Sequence, residues 1–460
     1  MKPAVPPRHI FRAYDIRGVV GESLTEEGVR RIGHAIGSEA RERGIEQIAL
    51  GRDGRLTGKT LAAELRAGLL AAGIDVLDLG EVATPLLYFA AITRCAGSGV
   101  MLTGSHNPPQ YNGIKIMLGG ETLVGEAVAS LHQRLVQGDL HQGEGRVVEE
   151  NVFPAYLDRV KRDVSIQPGY KVVVDGGNGV AGPFASALLK ELGCEVIELY
   201  CEVDGRFPHH HPDPNRPENL RDLMKVVRER DANLGIALDG DGDRTGVVDE
   251  VGQIIWPDRV MMYLSRELLK SNPGATVIYD VKCSRALEDV IADAGGRPLM
   301  WKSGHSYAKA KLKETGAILA GELSGHIFFN DHWYGFDDGL YTAARLIELL
   351  SNELLKASKV FAKLPDLLST PELHVEMAEG EPERLIETLR EAIPFRDYRL
   401  FDVDGLRLEF PEGWVLVRAS NTTPTLVIRF EALNAGSLAN IQLKVRHWIT
   451  AAAPQLNLPF

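Results

Sequence analysis

A chain of 460 residues with 51 Lys and Arg against 63 Asp and Glu has a net charge of −12. That balance leaves no broad basic face for a nucleic-acid backbone, so any anionic ligand must be met by local clusters of cations. Four cysteines without CxxC or metal-type spacing (Cys95, Cys194, Cys201, Cys283), no apolar run approaching ~18 residues and no apolar signal core near Met1 point to a soluble cytoplasmic protein with no membrane partner, of about three or four domains.

Beyond the N-terminal segment, residues 45–50 read as a strand, GRDGRLTG as a turn, residues 59–72 as a helix stopped by Gly73, and residues 74–79 as a second strand. This is a βαβ cassette. The same order returns from Lys171 in KVVVDGGNGVAGPFASALLKELGCEVIELY and from Ala275 in ATVIYDVKCSRALEDVIADAGGRPLMW. Each cassette is followed by a further apolar strand that runs into a loop of glycine and polar residues: VMLTGSHNP from Val100, LGIALDGDGDR from Leu234 and AILAGELSGH from Ala317. Ligands of parallel α/β sheets bind beyond the C-terminal ends of strands, so these loops are candidate walls of one site. After about Pro365 the pattern changes. Helical ERLIETLREA precedes the strand-like DVDGLRLEF, GWVLVRA and TLVIRFEA and a terminal helix from Ser437, which reads as a small α+β unit. The expected division is residues 1–150, 151–253, 254–365 and 366–460.

In VMLTGSHNPPQYNGIK the strand stops at Gly104, and Pro108 and Pro109 prevent either regular element from continuing, so Ser105 is displayed on a rigid polar loop with the cation Lys115 downstream. The strongest chemical signal is Asp239-Gly240-Asp241-Gly242-Asp243-Arg244. Three carboxylates at alternate positions need a cation, and oxygen-only ligation suits Mg²⁺ or Ca²⁺. A calcium EF-hand is excluded by Arg244 at the place of the obligatory turn glycine and by strand-like flanks. Glu322, Ser324 and His326 alternate, which on extended backbone would put all three on one face to grip neighbouring hydroxyls. Arg418, Ser420, Asn421, Thr422 and Thr423 combine a cation with side-chain donors; the set suits a phosphate, and equally a turn satisfying its own backbone. GRLTGKT at 54–60 imitates a phosphate-binding loop with one residue too few, and His209, His210 and His211 read as packing within a Pro-rich turn rather than as metal ligands.

TGSHNPPQYNGIK, DGDGDR, GELSGH and RASNTTPT, in that order and with FRAYDIRG near the start, resemble the signature loops of the α-D-phosphohexomutase superfamily, most closely its bacterial phosphomannomutase/phosphoglucomutase branch. Phosphoglucosamine mutases carry Gln where Leu323 stands. The resemblance implies three similar mixed-sheet α/β domains plus a smaller C-terminal α+β domain around a central active-site cleft. It implies reversible transfer of a phosphoryl group between the 1 and 6 positions of glucose or mannose phosphates, through phosphorylated Ser105 and a hexose 1,6-bisphosphate.

By the same resemblance Ser105 with Asp239, Asp241 and Asp243 holds Mg²⁺, while Arg17, Lys115 and His326 join Ser105 in catalysis. Lys115 is the first candidate base, which requires surroundings that lower its pKa. Tyr14, His106, Arg244, Lys282, His305, Glu322 and Ser324 would contact the sugar or its phosphates, and Arg418 to Thr423 would clamp the phosphate that is not reacting. A monomer is expected. A phosphoglucosamine mutase, a metal-dependent sugar phosphatase and a non-catalytic sugar-phosphate-binding protein are the competing readings.

Overall fold

The computed structural model describes residues 5–420 and 423–460. Three sheets share one plan. In the first, Asp75–Glu81, Gln47–Arg52 and Gly99–Leu102 lie parallel, and Tyr111–Leu118 returns antiparallel with Ile16–Val19 beside it. In the second, Glu195–Leu199, Lys171–Asp175 and Leu234–Leu238 are parallel and Thr245–Asp249 returns. In the third, Arg297–Trp301, Thr276–Asp280 and Leu319–Gly321 are parallel and Ile327–Phe329 returns. Central strands such as LGIAL at 234–238 are buried along their whole length, as expected of a sheet covered by helices on both faces.

The C-terminal sheet is antiparallel around Leu406–Phe410, Gly413–Ala419 and Thr425–Ala432. Leu385, Leu389, Ile441, Val445 and Trp448 of the helices Glu381–Glu391 and Ala435–Ala452 share one apolar core with Leu408, Val415, Val417 and Ile428. The strand expected over DVDGLRLEF, residues 402–410, begins only at Leu406: its first four residues are the turn of a hairpin that pairs Leu406–Phe410 with the preceding Arg399–Phe401, with Gly405 in the left-handed region at φ +79°.

The four candidate loops have one structural role. Each falls between a strand and its antiparallel neighbour: 103–110 and 239–244, then 322–326, and in the C-terminal sheet the described residues 420, 423 and 424 between Gly413–Ala419 and Thr425–Ala432. The first three therefore emerge beyond the last parallel strand of their sheet, where ligand sites of such sheets form. Direct contacts tie the first three units together at these loops. Thr84 N–H, at the start of a helix of the first unit, donates to the Asp241 carbonyl at 2.9 Å, and the second loop meets the third through a bridge between Arg244 and His326.

Candidate active site

Ser105, near the start of the first loop, has a left-handed conformation, φ +47°, one that costs a non-glycine residue about 1–3 kcal/mol and survives only when its surroundings fix it. Its Oγ donates to Asp239 Oδ2 at 2.8 Å and lies 3.2 Å from His106 Nδ1. Gly240, between the first two carboxylates, leaves room for this approach, since a Cβ there would stand 2.4 Å from the Ser105 carbonyl oxygen.

Asp239, Asp241 and Asp243 are fully buried, with ligand oxygens within 4.8 Å of one another. Gly242, at φ +79°, supplies the turn that brings them together. Lys115 Nζ bonds to Asp241 Oδ2 at 2.7 Å and also to Asp243 Oδ2, and Thr84 Oγ1 donates to Asp241 Oδ2 at 2.6 Å. Burial and the two neighbouring carboxylates hold the Asp239 pKa well above the carboxylate range, whereas for Asp243 burial is outweighed by Lys115 and His326 and the pKa falls well below it. The lowered pKa expected for Lys115 is not found. Burial opposes its charge, but Asp241 and Asp243 outweigh burial and hold it as an ammonium, well above the ordinary lysine value.

The third loop converges by a different geometry from the extended run expected. Residues 322–326 form a tight turn, with Gly325 at φ +91° and Glu322 N–H donating to the His326 carbonyl at 2.9 Å. Glu322 Oε2 thereby accepts from Ser324 Oγ at 3.1 Å and lies 2.9 Å from His326 Nδ1, while His326 Nε2 is 3.3 Å from Asp243 Oδ1. Burial opposes both charges, yet the ring is raised to about 9 by its acidic neighbours and Glu322 is lowered to about 2 by the ring. His305 stacks on His326 at 5.4 Å and meets the edge of Tyr14 at 5.3 Å. Arg17 donates to Asn107 Oδ1 at 2.6 Å and pairs with Asp15, and Arg244 Nε lies 3.3 Å from His326 Nε2. Burial with Arg244 and Arg17 nearby keeps His106 neutral.

A single cleft of about 820 Å³ is lined from all four units, by Tyr14, Arg17, Ser105, His106 and Lys115, by Arg244, by Lys282, His305, Glu322, Ser324 and His326, and by Arg418 and Ser420. Arg418 is anchored by Asp404 at 3.0 Å, and Thr423 Oγ1 donates to Ser420 Oγ at 3.1 Å. Asn421 and Thr422 lie outside the described residues.

Family models for phosphoglucomutase/phosphomannomutase match the chain from end to end: alpha/beta/alpha domain I over residues 8–139, domain II over 154–252, domain III over 256–368 and the C-terminal domain over 372–447. The chain belongs to this family of the α-D-phosphohexomutase superfamily. The mutase is 51% identical to a phosphomannomutase/phosphoglucomutase of Pseudomonas aeruginosa over 454 residues, 99% of this chain and 98% of the relative. It is 50% identical to a phosphoglucomutase of Neisseria gonorrhoeae over 440 residues, 95% of each chain. A crystal structure of a phosphoglucomutase/phosphomannomutase family protein from Burkholderia thailandensis superposes with a TM-score of 0.95 at 48% identity, covering 99% of the mutase and all of that chain. These relatives place the mutase in the bacterial branch.

The carboxylate trio suits a divalent cation. Asp241 Oδ1 is buried without a hydrogen-bond partner among the described residues, and the donor set is all oxygen. The cleft also contains residues that no sequence motif marked. Asp213, Asn215 and Arg216 come from HPDPNRPE, and Asn215 Nδ2 donates to the Ser324 carbonyl at 2.8 Å. Glu372, His374 and Arg429 come from the C-terminal unit. Two of the three histidines before Asp213 make packing contacts, as expected: His209 stacks on Tyr200 at 3.9 Å and His210 pairs with Asp175 at 3.1 Å.

Proposed function

We propose that this phosphohexomutase interconverts the 1- and 6-phosphates of glucose and mannose through phosphorylated Ser105 and a hexose 1,6-bisphosphate. The observation that carries this reading is Ser105 Oγ resting on Asp239 Oδ2 at 2.8 Å in a cleft reached by loops of all four units. In the forward transfer the phosphorus–Oγ bond of phosphoserine breaks as the sugar hydroxyl oxygen bonds to phosphorus. Lys115, as the ammonium, gives its proton to the departing Oγ and takes one from the attacking hydroxyl. The bisphosphate then turns over, and its other phosphate returns to Ser105 by the reverse exchange. Such chemistry needs alignment and neutralisation of the phosphoryl oxygens more than covalent assistance.

Asp239, Asp241 and Asp243 would hold Mg²⁺ beside Ser105, and the bound ion supplies Lewis-acid stabilisation of the transferring group. Arg17 and Arg244 direct donors at phosphoryl oxygens, and His326 is the second proton carrier. Glu322 and Ser324 grip ring hydroxyls, with Tyr14, His106, Lys282 and His305 along the walls. Arg418, Ser420, Asn421, Thr422 and Thr423 clamp the non-reacting phosphate. A clamp that accepts either end of the sugar is what reorientation demands. The reading includes a monomer acting in the cytoplasm; among the described residues no helix is long and apolar enough to cross a membrane.

Ser105→Ala tests the proposal. Mutase turnover should fall by at least ~10³-fold while calorimetry still records hexose-phosphate binding; undiminished turnover would discard the phosphoserine. Coupled assays with glucose, mannose and glucosamine 1-phosphates on one preparation separate the substrate classes, and inorganic phosphate released in step with substrate loss would indicate a phosphatase instead.

A further inference from the structure

We infer that Arg55 is a positioning residue for phosphoryl transfer, acting through the main chain of the loop that carries Ser105; the inference rests on Ser105 being the phosphoryl carrier. Arg55 belongs to GRDGRLTG, a stretch that reads as an ordinary turn, yet its side chain is fully buried. Nη2 donates to the carbonyls of Ser105 at 2.8 Å and Asn107 at 2.6 Å, and Nη1 to those of Pro108 at 2.7 Å and Tyr111 at 2.9 Å. Nε closes the arrangement on Asp53 Oδ2 at 3.1 Å. One guanidinium thus serves four carbonyls of a loop whose Pro108 and Pro109 have no N–H to offer, and only a planar fork of five donors fits that demand.

Asp53 grips the same loop from its other end. Its Oδ2 accepts from Thr103 Oγ1 at 2.8 Å and from Gly104 N–H at 3.1 Å, and Thr103 Oγ1 in turn accepts Ser105 N–H at 2.8 Å. Both main-chain groups of Ser105 are therefore tied, one through Thr103 and one directly to Arg55. This is the support that its left-handed conformation requires. Contact with Arg55 is close enough that a Cβ on residue 104 would stand 2.4 Å from the guanidinium carbon, which accounts for Gly104. Phe207 of the second unit covers the guanidinium at 5.3 Å, so the anchor lies where the first two units meet. Arg55 is not among the residues that line the cleft and influences it through the loop it holds.

Displacing a nucleophile by about 1 Å costs on the order of 10²-fold in rate. Arg55→Met should therefore lower kcat about 100-fold with KM for glucose 1-phosphate changed less than ~3-fold, and Arg55→Lys, which keeps the charge without the fork, should fall between Arg55→Met and the parent. Single-turnover transfer from phosphorylated Ser105 to the sugar, followed by intact-protein mass spectrometry, should slow by the same factor as kcat. Parental kcat in Arg55→Lys, or a loss expressed mainly in KM, overturns the inference. If Arg55→Met does not fold, Arg55→Lys decides alone. Ser105→Ala, run in parallel, separates the two levels: turnover surviving there removes the phosphoserine reading, whereas a dead Ser105→Ala beside a fully active Arg55→Lys removes only the role of Arg55.

Discussion

Arg429 donates from Nη1 to the main-chain carbonyl of Lys282 at 2.9 Å, so a strand of the C-terminal sheet holds a cleft residue of the third unit. Arg407, two strands away and stacked over Trp414 at 4.0 Å, donates to the carbonyls on either side, those of Val281 and Cys283, at 2.7 Å each. Three consecutive carbonyls are thus held by two arginines, while Lys282 Nζ faces Glu372 of the C-terminal unit at 3.6 Å. Hydrogen bonds from a charged group contribute about 1.5–3 kcal/mol each, so Arg407→Lys is expected to cost tenfold or more in kcat/KM. Because the loss is routed through Lys282, the double variant with Lys282→Ala should lose less than the sum of the two. Full additivity in that cycle would show that Arg407 acts elsewhere.

Lys115 occupies two of the three carboxylates and makes the trio tolerable without a divalent ion. Removing one partner of a buried charge cluster costs about 3–5 kcal/mol. Lys115→Met should therefore lose turnover and also become dependent on magnesium for stability, with a melting temperature depressed in chelator and recovered by millimolar Mg²⁺. The parent enzyme, treated with the same chelator, should lose turnover with little change in melting temperature. Equal sensitivity of both proteins to chelator would separate Lys115 from the cation site.

The chemistry-bearing loops were readable because they break pattern: prolines after a strand, carboxylates at alternate places, a cation among hydroxyl donors. Other features depend on distance rather than order. Gly28, Gly33 and Gly37 count against a helix by propensity, yet Glu26–Glu42 is one, and a Cβ on Gly33 would stand 2.3 Å from the Leu65 carbonyl of the helix packed on it. TGVVD at 245–249 is buried along its whole length, and such a run carries no periodicity to reveal that it returns antiparallel. The charge on Lys115 follows from Asp241 and Asp243, more than 120 residues away, as the separations of 126 and 128 show. Arg55 sits in a turn whose sequence resembles any Gly/Asp turn, and its role emerges only when the carbonyls of 105–111 are folded onto it.

Gly240 tests how tightly the first two loops fit. A Cβ there meets the Ser105 carbonyl oxygen at 2.4 Å and Pro212 Cγ at 3.4 Å, and the nearer contact is backbone that cannot swing aside. Overpacking of this kind costs about 1–3 kcal/mol, and the shift it forces falls on Ser105 and Asp239 together. Gly240→Ala is expected to lower kcat about 100-fold with a modest drop in melting temperature. Activity within threefold of the parent would mean that the two loops have more freedom than their contact indicates.

His210 makes the second unit's stability depend on pH in a direction that can be worked out. Its Nε2 faces both oxygens of buried Asp175 at 3.1 Å, and Nδ1 lies 3.0 Å from the His211 carbonyl. Burial lowers the ring's pKa, but the bond to Asp175 and its charge outweigh burial, so the folded value stands above the ordinary 6.5. A folded value above the unfolded one stabilises fully below the unfolded pKa, and the contribution is lost as pH rises through the folded pKa. His210→Gln keeps a donor for Asp175 but carries no charge. The parent should therefore melt about 2–4 °C above this variant at pH 6, with the gap closing by pH 9. The pair anchors the start of the segment that delivers Asp213 and Asn215 to the cleft, so the same titration should be visible as faster amide exchange over residues 205–216 at high pH. A gap that widens with pH would reverse the sign of the coupling and remove Asp175 as its cause.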